Sequence, residues 1–200
     1  MASPRGLADC RVTDLSGGAV RLGDEWRERP AVVVWLRHYG CLLCREQAAG
    51  FRRREAEIEA LGARLVFVGN GDAAAALAFA ARHCPGCRVL SDPGLQSYGV
   101  IGARRGWAST LGPAAVGAGW RAFRHGFRQG RVRGVPDQQG GVYVVLPGDR
   151  VVYAYLSGSA GDHPPIEDVI GALRASGAGE TVPASTGGAP ARAGHGDGSR

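Results

Sequence analysis

The chain has 200 residues, of which 44% are apolar, 21% charged and 7% aromatic. That length is enough for one domain with a substantial core, or for one domain followed by a tail. No apolar run approaches the ~18 residues of a membrane-spanning helix, so we expect no membrane association. The 33 glycines and 11 prolines are frequent, but fewer than in a low-complexity chain.

The formal net charge of +6 comes from arginine alone, because the chain contains no lysine. Arginine binds anions well, but here the arginines are scattered as well as clustered. This distribution favours a general use of arginine in place of lysine over an anion-binding surface. The first residues lack the apolar stretch of a signal peptide, so we expect a cytoplasmic protein.

The first half of the chain predicts a strand, a loop and a helix in succession. Residues 10–22 indicate a β-hairpin around a Ser-Gly-Gly turn. Residues 30–36 form an almost continuous apolar run, which is typical of a central strand buried on both faces. A loop follows, and Cys41 opens a helix. Its apolar or small residues recur near a period of 3.6, at Cys44, Ala48, Phe51, Ile58 and Leu61.

The alternation continues beyond this helix. Residues 64–69 predict a second strand, and Asp72 is placed to cap a helix over 73–82. Val89 and Leu90 indicate a short third strand. Strand and helix in this order imply βαβ units and a parallel core.

The remaining third begins with an insertion, residues 102–139. Within it Val116, Trp120, Phe123 and Phe127 lie at helical spacing and predict a short amphipathic helix. Residues 142–146 and 151–156 predict two antiparallel strands, because their connection is short. A closing helix is expected over 165–175.

Residues 177–200 are rich in Gly, Ala, Pro, Ser and Thr, and contain a single large aliphatic residue, Val182. Such a segment cannot bury enough surface to offset its chain entropy. We therefore expect one domain over residues 1–176 and a disordered C-terminal tail over 177–200.

The first C-x-x-C motif, Cys41 and Cys44, lies between a buried strand and the first turn of a helix. The free N–H groups and positive end of a helix favour a thiolate, and can lower a cysteine pKa from ~8.5 into the range ~3.5–7.5. The spacing places the two sulfurs about one helical turn apart. This arrangement favours a redox-active pair over two structural cysteines.

A second C-x-x-C motif, Cys84-Pro85-Gly86-Cys87, admits three interpretations. The first is a pair of structural thiols and the second is an auxiliary redox pair. The third is a zinc site formed with Cys41 and Cys44, although compact zinc ribbons place their pairs closer in sequence.

Three further features carry alternatives. His38 lies three residues before Cys41 and either donates a proton, favours the Cys41 thiolate, or is a loop residue without a catalytic role. Asp162 and His163 precede the last helix, where a cap is favoured over a catalytic dyad. Residues 121–133 mix arginines with Phe123 and Phe127. We expect these aromatics to pack inward and the arginines to face water, and we expect no nucleic-acid binding.

Several short motifs follow one another along the chain in an order that is itself informative. They are Asp14-Leu15 with Gly17, the segment 35–37, Gly40-Cys41-Leu42-Leu43-Cys44-Arg45-Glu46, the segment 91–98, the segment 138–145, and Gly161-Asp162-His163. In this order, over about residues 10–175, they resemble the peroxiredoxin-like branch of the alkyl hydroperoxide reductase/thiol-specific antioxidant (AhpC/TSA) superfamily. This branch includes the prostamide/prostaglandin F synthases, whose C-x-x-C reduces an endoperoxide.

The resemblance implies an α/β, thioredoxin-like fold of the peroxiredoxin type. That fold is a mixed sheet flanked by helices, with an N-terminal β-hairpin and an insertion before the last two strands. It also implies an O–O bond as the substrate feature. Two positions depart from ordinary peroxiredoxins. Cys41 replaces a threonine, which aligns Cys44 with the peroxidatic cysteine, and Gly140 replaces the catalytic arginine before the late strand.

We therefore predict a thiol-dependent antioxidant oxidoreductase that reduces a small hydroperoxide or endoperoxide through a Cys41–Cys44 dithiol/disulfide cycle. A thioredoxin-type reductant would restore the dithiol, and no cofactor or metal is expected. Exposure favours Cys41 as the attacking sulfur, whereas the family alignment favours Cys44. The alternatives are a general disulfide reductase without peroxidase activity and a zinc-bound or redox-sensing interaction module.

Overall fold

The computed structural model describes residues 4–106, 113–130 and 134–177. Its centre is a seven-stranded sheet in the order β2-β1-β5-β4-β3-β6-β7. The strands are β1 (Arg11–Thr13), β2 (Ala19–Arg21), β3 (Ala31–Trp35), β4 (Arg64–Gly69), β5 (Arg88–Ser91), β6 (Gly141–Leu146) and β7 (Arg150–Leu156). No helix in these ranges is long and apolar enough to cross a membrane.

Six α-helices and one short 3₁₀ helix (Leu22–Trp26) accompany the sheet in the described ranges. The α-helices are α1 (Leu42–Arg53), α2 (Glu55–Ala60), α3 (Ala73–His83), α4 (Gln96–Val100), α5 (Pro113–Arg124) and α6 (Ile166–Ala175).

The sheet is mixed, as predicted for an α/β protein with a parallel core. Strand β3 pairs in parallel with β4, which pairs in parallel with β5. Strand β6 is antiparallel to both β3 and β7, in agreement with the short connection between β6 and β7. The predicted N-terminal hairpin is formed by β1 and β2, and it joins the sheet through one antiparallel pairing with β5.

The apolar run of β3 is buried on both faces because successive side chains alternate between them. Val32 and Val34 belong to the core cluster that α1, α2, α3 and α6 cover. Val33 and Trp35 belong to the cluster on the opposite face, covered by the N-terminal segment, the 3₁₀ helix and α4. The C-terminal end of β3 is therefore held rigidly at the middle of the sheet.

Three details differ from the sequence-based expectation. The helix that follows Cys41 is interrupted at Arg54, whose φ of −108° and ψ of 7° separate α1 from α2. Helix α4 was not predicted. The predicted amphipathic helix of the insertion is α5, although it ends at Arg124. Residues 178–200 lie outside the described residues, so the disordered tail stays a prediction.

Candidate active site

Cys41 and Cys44 lie where β3 ends and α1 begins. Cys41 is the N-cap residue of α1, in an extended conformation with φ −70° and ψ 126°. Cys44 lies in the first turn and faces the core, where the Arg37 backbone N–H donates a hydrogen bond to its Sγ at 3.3 Å. Cys41 is 6% exposed and Cys44 1%. The structure thus brings together the two sulfurs that the spacing predicted to be neighbours.

The two thiols have opposite acidities. The Cys44 side chain donates a hydrogen bond to the Cys41 sulfur, which together with the Cys44 and Leu43 backbone N–H groups and the Arg37 charge lowers the pKa of Cys41 to about 6. Burial opposes this shift but is outweighed. The same hydrogen bond and burial raise the pKa of Cys44 well above its usual value. Cys41 therefore carries the thiolate and Cys44 the proton at neutral pH.

Arg37 supplies a fixed positive charge at this site. Its guanidinium donates to the carbonyl oxygens of Pro136 at 2.6 Å and Gln138 at 3.1 Å, so it is held between β3 and the segment that leads into β6. Gly140, which the resemblance aligns with the arginine of ordinary peroxiredoxins, has no room for a side chain, because a Cβ there would lie 2.4 Å from the Trp35 carbonyl oxygen. The Arg37 Cγ would lie 3.7 Å from that Cβ, so Arg37 passes close to this position.

His38 is buried and does not stabilise the thiolate by charge. Its Nδ1 accepts a hydrogen bond from the Gly40 backbone N–H at 3.2 Å. Burial, with the charges of Arg37 and Arg45, lowers the pKa of His38 to about 4. The imidazole is therefore neutral at neutral pH, and its role here is to shape the loop before Cys41.

Tyr39 anchors the same loop to the sheet. Its hydroxyl donates to the Leu90 carbonyl oxygen of β5 at 2.5 Å, and its ring packs 5.2 Å from that of Phe79. The ring lies directly over Gly69, where a Cβ would approach it to 2.3 Å. The close approach requires glycine at the end of β4 and places the backbone before Cys41 against β5.

Residues 125–130, which we call the covering segment, lie over the N-terminus of α1. The Gly130 N–H donates to the Gly40 carbonyl oxygen at 2.9 Å, and Gln129 Oε1 accepts from the Leu42 N–H at 3.3 Å. The Arg45 guanidinium donates to the Arg128 carbonyl oxygen at 2.5 Å. Sequence reasoning missed Gln129, because contact between residues so far apart leaves no periodic signal.

Two cavities flank the pair. One of about 230 Å³ is lined by Gly40, Arg45 and one side of α3 from Ala75 to His83. The other, of about 410 Å³, is lined chiefly by Leu42, Trp120 and Phe123. Trp120 is 66% and Phe123 48% exposed, so the expectation that the aromatics of this region pack inward is wrong for both. Among the side chains of α5 that are described, Ala122 is buried in the core, and Phe127, just beyond the helix, packs partly buried against it.

Asp162 and His163, the candidates before the last helix, do not form a catalytic dyad. Asp162 accepts hydrogen bonds from the Gly158 N–H and the Tyr155 hydroxyl, and does not cap α6. His163 lies near Leu43, and burial lowers its pKa, which keeps it neutral.

The basic stretch is partly paired. Arg121 and His125 both contact Glu46 at 3.2 Å. Arg131 and Arg133 lie outside the described residues.

Cys84 and Cys87 form a second close pair, at the end of α3 and just before β5. Among residues 4–106, 113–130 and 134–177, no three His, Cys, Asp or Glu side chains are grouped so as to hold a metal ion. The two C-x-x-C motifs therefore do not form a four-thiolate zinc site in the part of the chain that is described.

Sequence comparisons identify a family. The sequence model of the family described as "AhpC/TSA antioxidant enzyme" matches residues 50–158, a stretch that begins after Cys41 and Cys44. Thioredoxin-like protein AAED1, chloroplastic, from Arabidopsis thaliana is 33% identical over 83% of this chain and 72% of its own. A prostamide/prostaglandin F synthase from Salmo salar is 33% identical over 81% of this chain and 83% of its own.

Solved structures agree on the fold. Peroxiredoxin Q from Xanthomonas campestris superposes with a TM-score of 0.64 at 15% identity, over 88% of this chain and 97% of its own. Peroxidoxin BcpB from Mycobacterium tuberculosis gives a TM-score of 0.64 at 18% identity, over 88% and 97% of the two chains. These matches confirm the thioredoxin-like, peroxiredoxin-type fold predicted from the sequence.

Proposed function

Since the chain belongs to the AhpC/TSA antioxidant enzyme family of peroxiredoxin-like thiol oxidoreductases, we propose that it reduces a hydroperoxide or endoperoxide through Cys41 and Cys44. The observation that carries the proposal is the hydrogen-bonded thiol pair at the N-terminus of α1, in which the pKa of Cys41 is lowered to about 6. A thiolate is the nucleophile in such reactions, and a neighbouring thiol is needed to resolve the product.

The reaction proceeds in two steps. The Cys41 thiolate attacks one oxygen of the O–O bond, which breaks. With a hydroperoxide, Cys41 takes the terminal oxygen and becomes a sulfenic acid, and the other oxygen leaves as an alcohol after taking a proton; Cys44 then attacks the Cys41 sulfur, releases water and forms the Cys41–Cys44 disulfide. With an endoperoxide, Cys41 forms a sulfenate ester and the other oxygen takes a proton on the same molecule. Cys44 then attacks the Cys41 sulfur, and the ester oxygen takes a proton and leaves as a second hydroxyl group. A thioredoxin-type dithiol returns the pair to the reduced state by thiol–disulfide exchange.

Cys41 is proposed as the attacking sulfur, in preference to Cys44. Of the two, it is the more exposed side chain and the more acidic thiol. Cys44 is fully enclosed and holds the proton that it shares with Cys41. The covering segment lies over this site, and displacement of its contacts to Gly40 and Leu42 opens Cys41 to a substrate. The Arg37 guanidinium supplies the positive charge that the family's arginine would otherwise provide.

Mass spectrometry after one equivalent of hydroperoxide tests the proposal. Trypsin cleaves after Arg37 and Arg45, so both cysteines fall in the single peptide 38–45. We expect this peptide to lose two hydrogens. In Cys44→Ser a sulfenic acid should persist on Cys41 and be trapped by dimedone, whereas Cys41→Ser should form none. An unchanged peptide would reject peroxide reduction at this pair, and the reverse pattern in the variants would make Cys44 the attacker.

A general thiol–disulfide reductase is the second candidate. It is favoured by Gly140, where the backbone excludes the arginine that polarises a peroxide in ordinary peroxiredoxins. This candidate predicts rapid reduction of a protein disulfide such as insulin, together with an unchanged peptide 38–45 after exposure to hydroperoxide. The cytoplasmic location and the identity of the reductant stay predictions.

A further inference from the structure

Cys84 and Cys87 take no part in the proposed reaction, yet they share one tight turn. Cys84 is the C-cap residue of α3, and the Cys87 N–H donates to its carbonyl oxygen at 3.1 Å. Pro85 and Gly86 occupy the two central positions, and Gly86 has a φ of +85°. Proline followed by a residue with positive φ is the pattern of a type II turn, in which only glycine is unstrained at the second position.

This turn has the dimensions of a disulfide. Its first and last Cα atoms lie within ~7 Å of each other, and disulfides span Cα separations of ~4.4–6.8 Å. The side chains also point toward each other, because the Cys84 thiol donates a hydrogen bond to the Cys87 sulfur. A bond between the sulfurs therefore needs little movement of the backbone.

The surroundings of the turn distinguish the two sulfurs. Cys84 is fully buried, whereas the Cys87 Sγ lies 4.0 Å from Glu55 Oε2, near the junction of α1 and α2. Arg52 pairs with Glu55 and donates to the Pro85 carbonyl oxygen at 3.2 Å. Pro85 and Gly86 are exposed. Because only this short turn separates Cys87 from solvent, Cys87 is the sulfur that a reagent reaches first.

We propose that Cys84 and Cys87 are a second redox-active dithiol, which exchanges with a disulfide and closes a bridge across the α3–β5 turn. The Cys87 sulfur attacks a disulfide RSSR, forms a mixed disulfide and releases one RSH. The Cys84 sulfur then attacks Cys87, releases the second RSH and completes the bridge. Two electrons and two protons pass from the pair to the reagent, so the step balances.

The two pairs differ in the end of the helix at which they lie. Cys41 and Cys44 are at the N-terminus of α1, where the helix stabilises a thiolate and therefore the reduced form. Cys84 is at the C-terminus of α3, where the free carbonyl groups disfavour a thiolate. The hydrogen bond from Cys84 lowers the pKa of Cys87, but no helix N-terminus adds to it as at Cys41. The dithiol with the weaker thiolate stabilisation forms the more stable disulfide. The Cys84–Cys87 bridge is accordingly the harder of the two to reduce.

Redox titration of the whole chain in glutathione buffers tests both statements. After acid quenching and alkylation, trypsin places Cys84 and Cys87 together in peptide 83–88, separate from peptide 38–45. We expect peptide 83–88 to lose two hydrogens, with an equilibrium constant about tenfold larger than that of peptide 38–45, which corresponds to a potential about 30 mV more negative. The titration is repeated with hydroxyethyl disulfide, which is smaller than oxidised glutathione. This control ensures that poor access of glutathione to the buried cysteines is not mistaken for a dithiol that resists oxidation.

Matched variants separate this proposal from the proposed function. In Cys41→Ser/Cys44→Ser the bridge in peptide 83–88 should still form, whatever the outcome with hydroperoxide. Cys84→Ser should accumulate glutathione on Cys87, whereas Cys87→Ser should leave Cys84 unmodified. A peptide 83–88 that stays reduced in every buffer, or that becomes joined to peptide 38–45, overturns the local bridge. A bridge that is reduced more readily than Cys41–Cys44 overturns the argument from the helix ends.

Discussion

Replacement of Arg37 by methionine tests the electrostatic account of Cys41. The Arg37 charge is one of the causes that lower the pKa of Cys41 to about 6, after the hydrogen bond from Cys44. A nearby opposite charge typically lowers the pKa of a thiol by ~1–3 units. Because the two hydrogen bonds from Cys44 lower the pKa of Cys41 more than the Arg37 charge does, we expect the lower end of this range, about one unit. At pH 6 the thiolate fraction of Cys41 should therefore fall from about half to about a tenth.

The assay is the pH dependence of iodoacetamide alkylation, followed by mass spectrometry of the peptide that contains Cys41. Because the pKa is lowered in the folded protein, reactivity is lost as the pH falls through about 6 in the native chain. In Arg37→Met the midpoint should rise by about one unit, with alkylation roughly fivefold slower at pH 6 and almost unchanged above pH 8.5.

Two variants control this experiment. Arg37→Lys keeps the charge and should keep a midpoint close to the native one, although it loses the paired contacts with the two carbonyl oxygens. Arg21→Met removes an exposed arginine that pairs with Asp9, far from the site in sequence, and should leave the profile unchanged. If folded Arg37→Met gives the native profile, Arg37 does not contribute and the helix N–H groups with Cys44 account for the acidity.

Three further substitutions test the framework around the site. Gly140→Ala should lower the free energy of unfolding by about 3 kcal/mol in urea, because its Cβ would meet a β3 carbonyl oxygen at 2.4 Å. Gly171→Ala in α6, where a Cβ meets nothing, should instead add about 0.5–1 kcal/mol, and similar losses for both would refute the steric argument. Gln129→Ala should speed alkylation of Cys41 about fivefold, because it removes the hydrogen bond to the Leu42 N–H, which is worth about 1 kcal/mol. Gln139→Ala, the control, removes a hydrogen bond to the Arg104 N–H and should leave the rate unchanged. Equal rates in the two variants would mean that the covering segment does not limit access to Cys41. Asp72→Ala should cost about 1 kcal/mol in urea by removing the N-cap of α3, and an unchanged midpoint would contradict that role.

Local patterns were reliable where one segment determines its own environment. The apolar run before the site predicted β3, and residues 64–69 predicted β4 with the bounds that the structure has. Helix α4 gave no comparable signal, because it is five residues long and begins after Leu95 in the left-handed conformation. It depends on the Asp92 carboxylate, which accepts from the Gln96 and Ser97 N–H groups. The helix is also held by hydrogen bonds of Ser97 and Tyr98 with Trp35 and Leu36, which are distant in sequence, and it is too short to show a period.

The insertion shows the opposite limit. Helical spacing correctly predicted a helix there, but assigned Trp120 and Phe123 to a buried face that the structure leaves exposed. Periodicity reports that residues share a face of a helix, and not which side of the protein that face meets. The side was decided by contacts with distant parts of the chain, including the ion pair between Arg121 and Glu46 of α1.

The Cys41–Cys44 pair shows both what local patterns predict and what they leave open. The C-x-x-C spacing and the adjoining strand and helix were enough to predict that Cys41 and Cys44 are neighbours at a helix N-terminus, because both depend on local geometry. Which sulfur carries the charge was decided by packing: the enclosure of Cys44, its hydrogen bond to Cys41 and the placement of Arg37 join segments that the sequence keeps apart. Burial and charge act through space, so they are properties of the folded chain and not of any one segment.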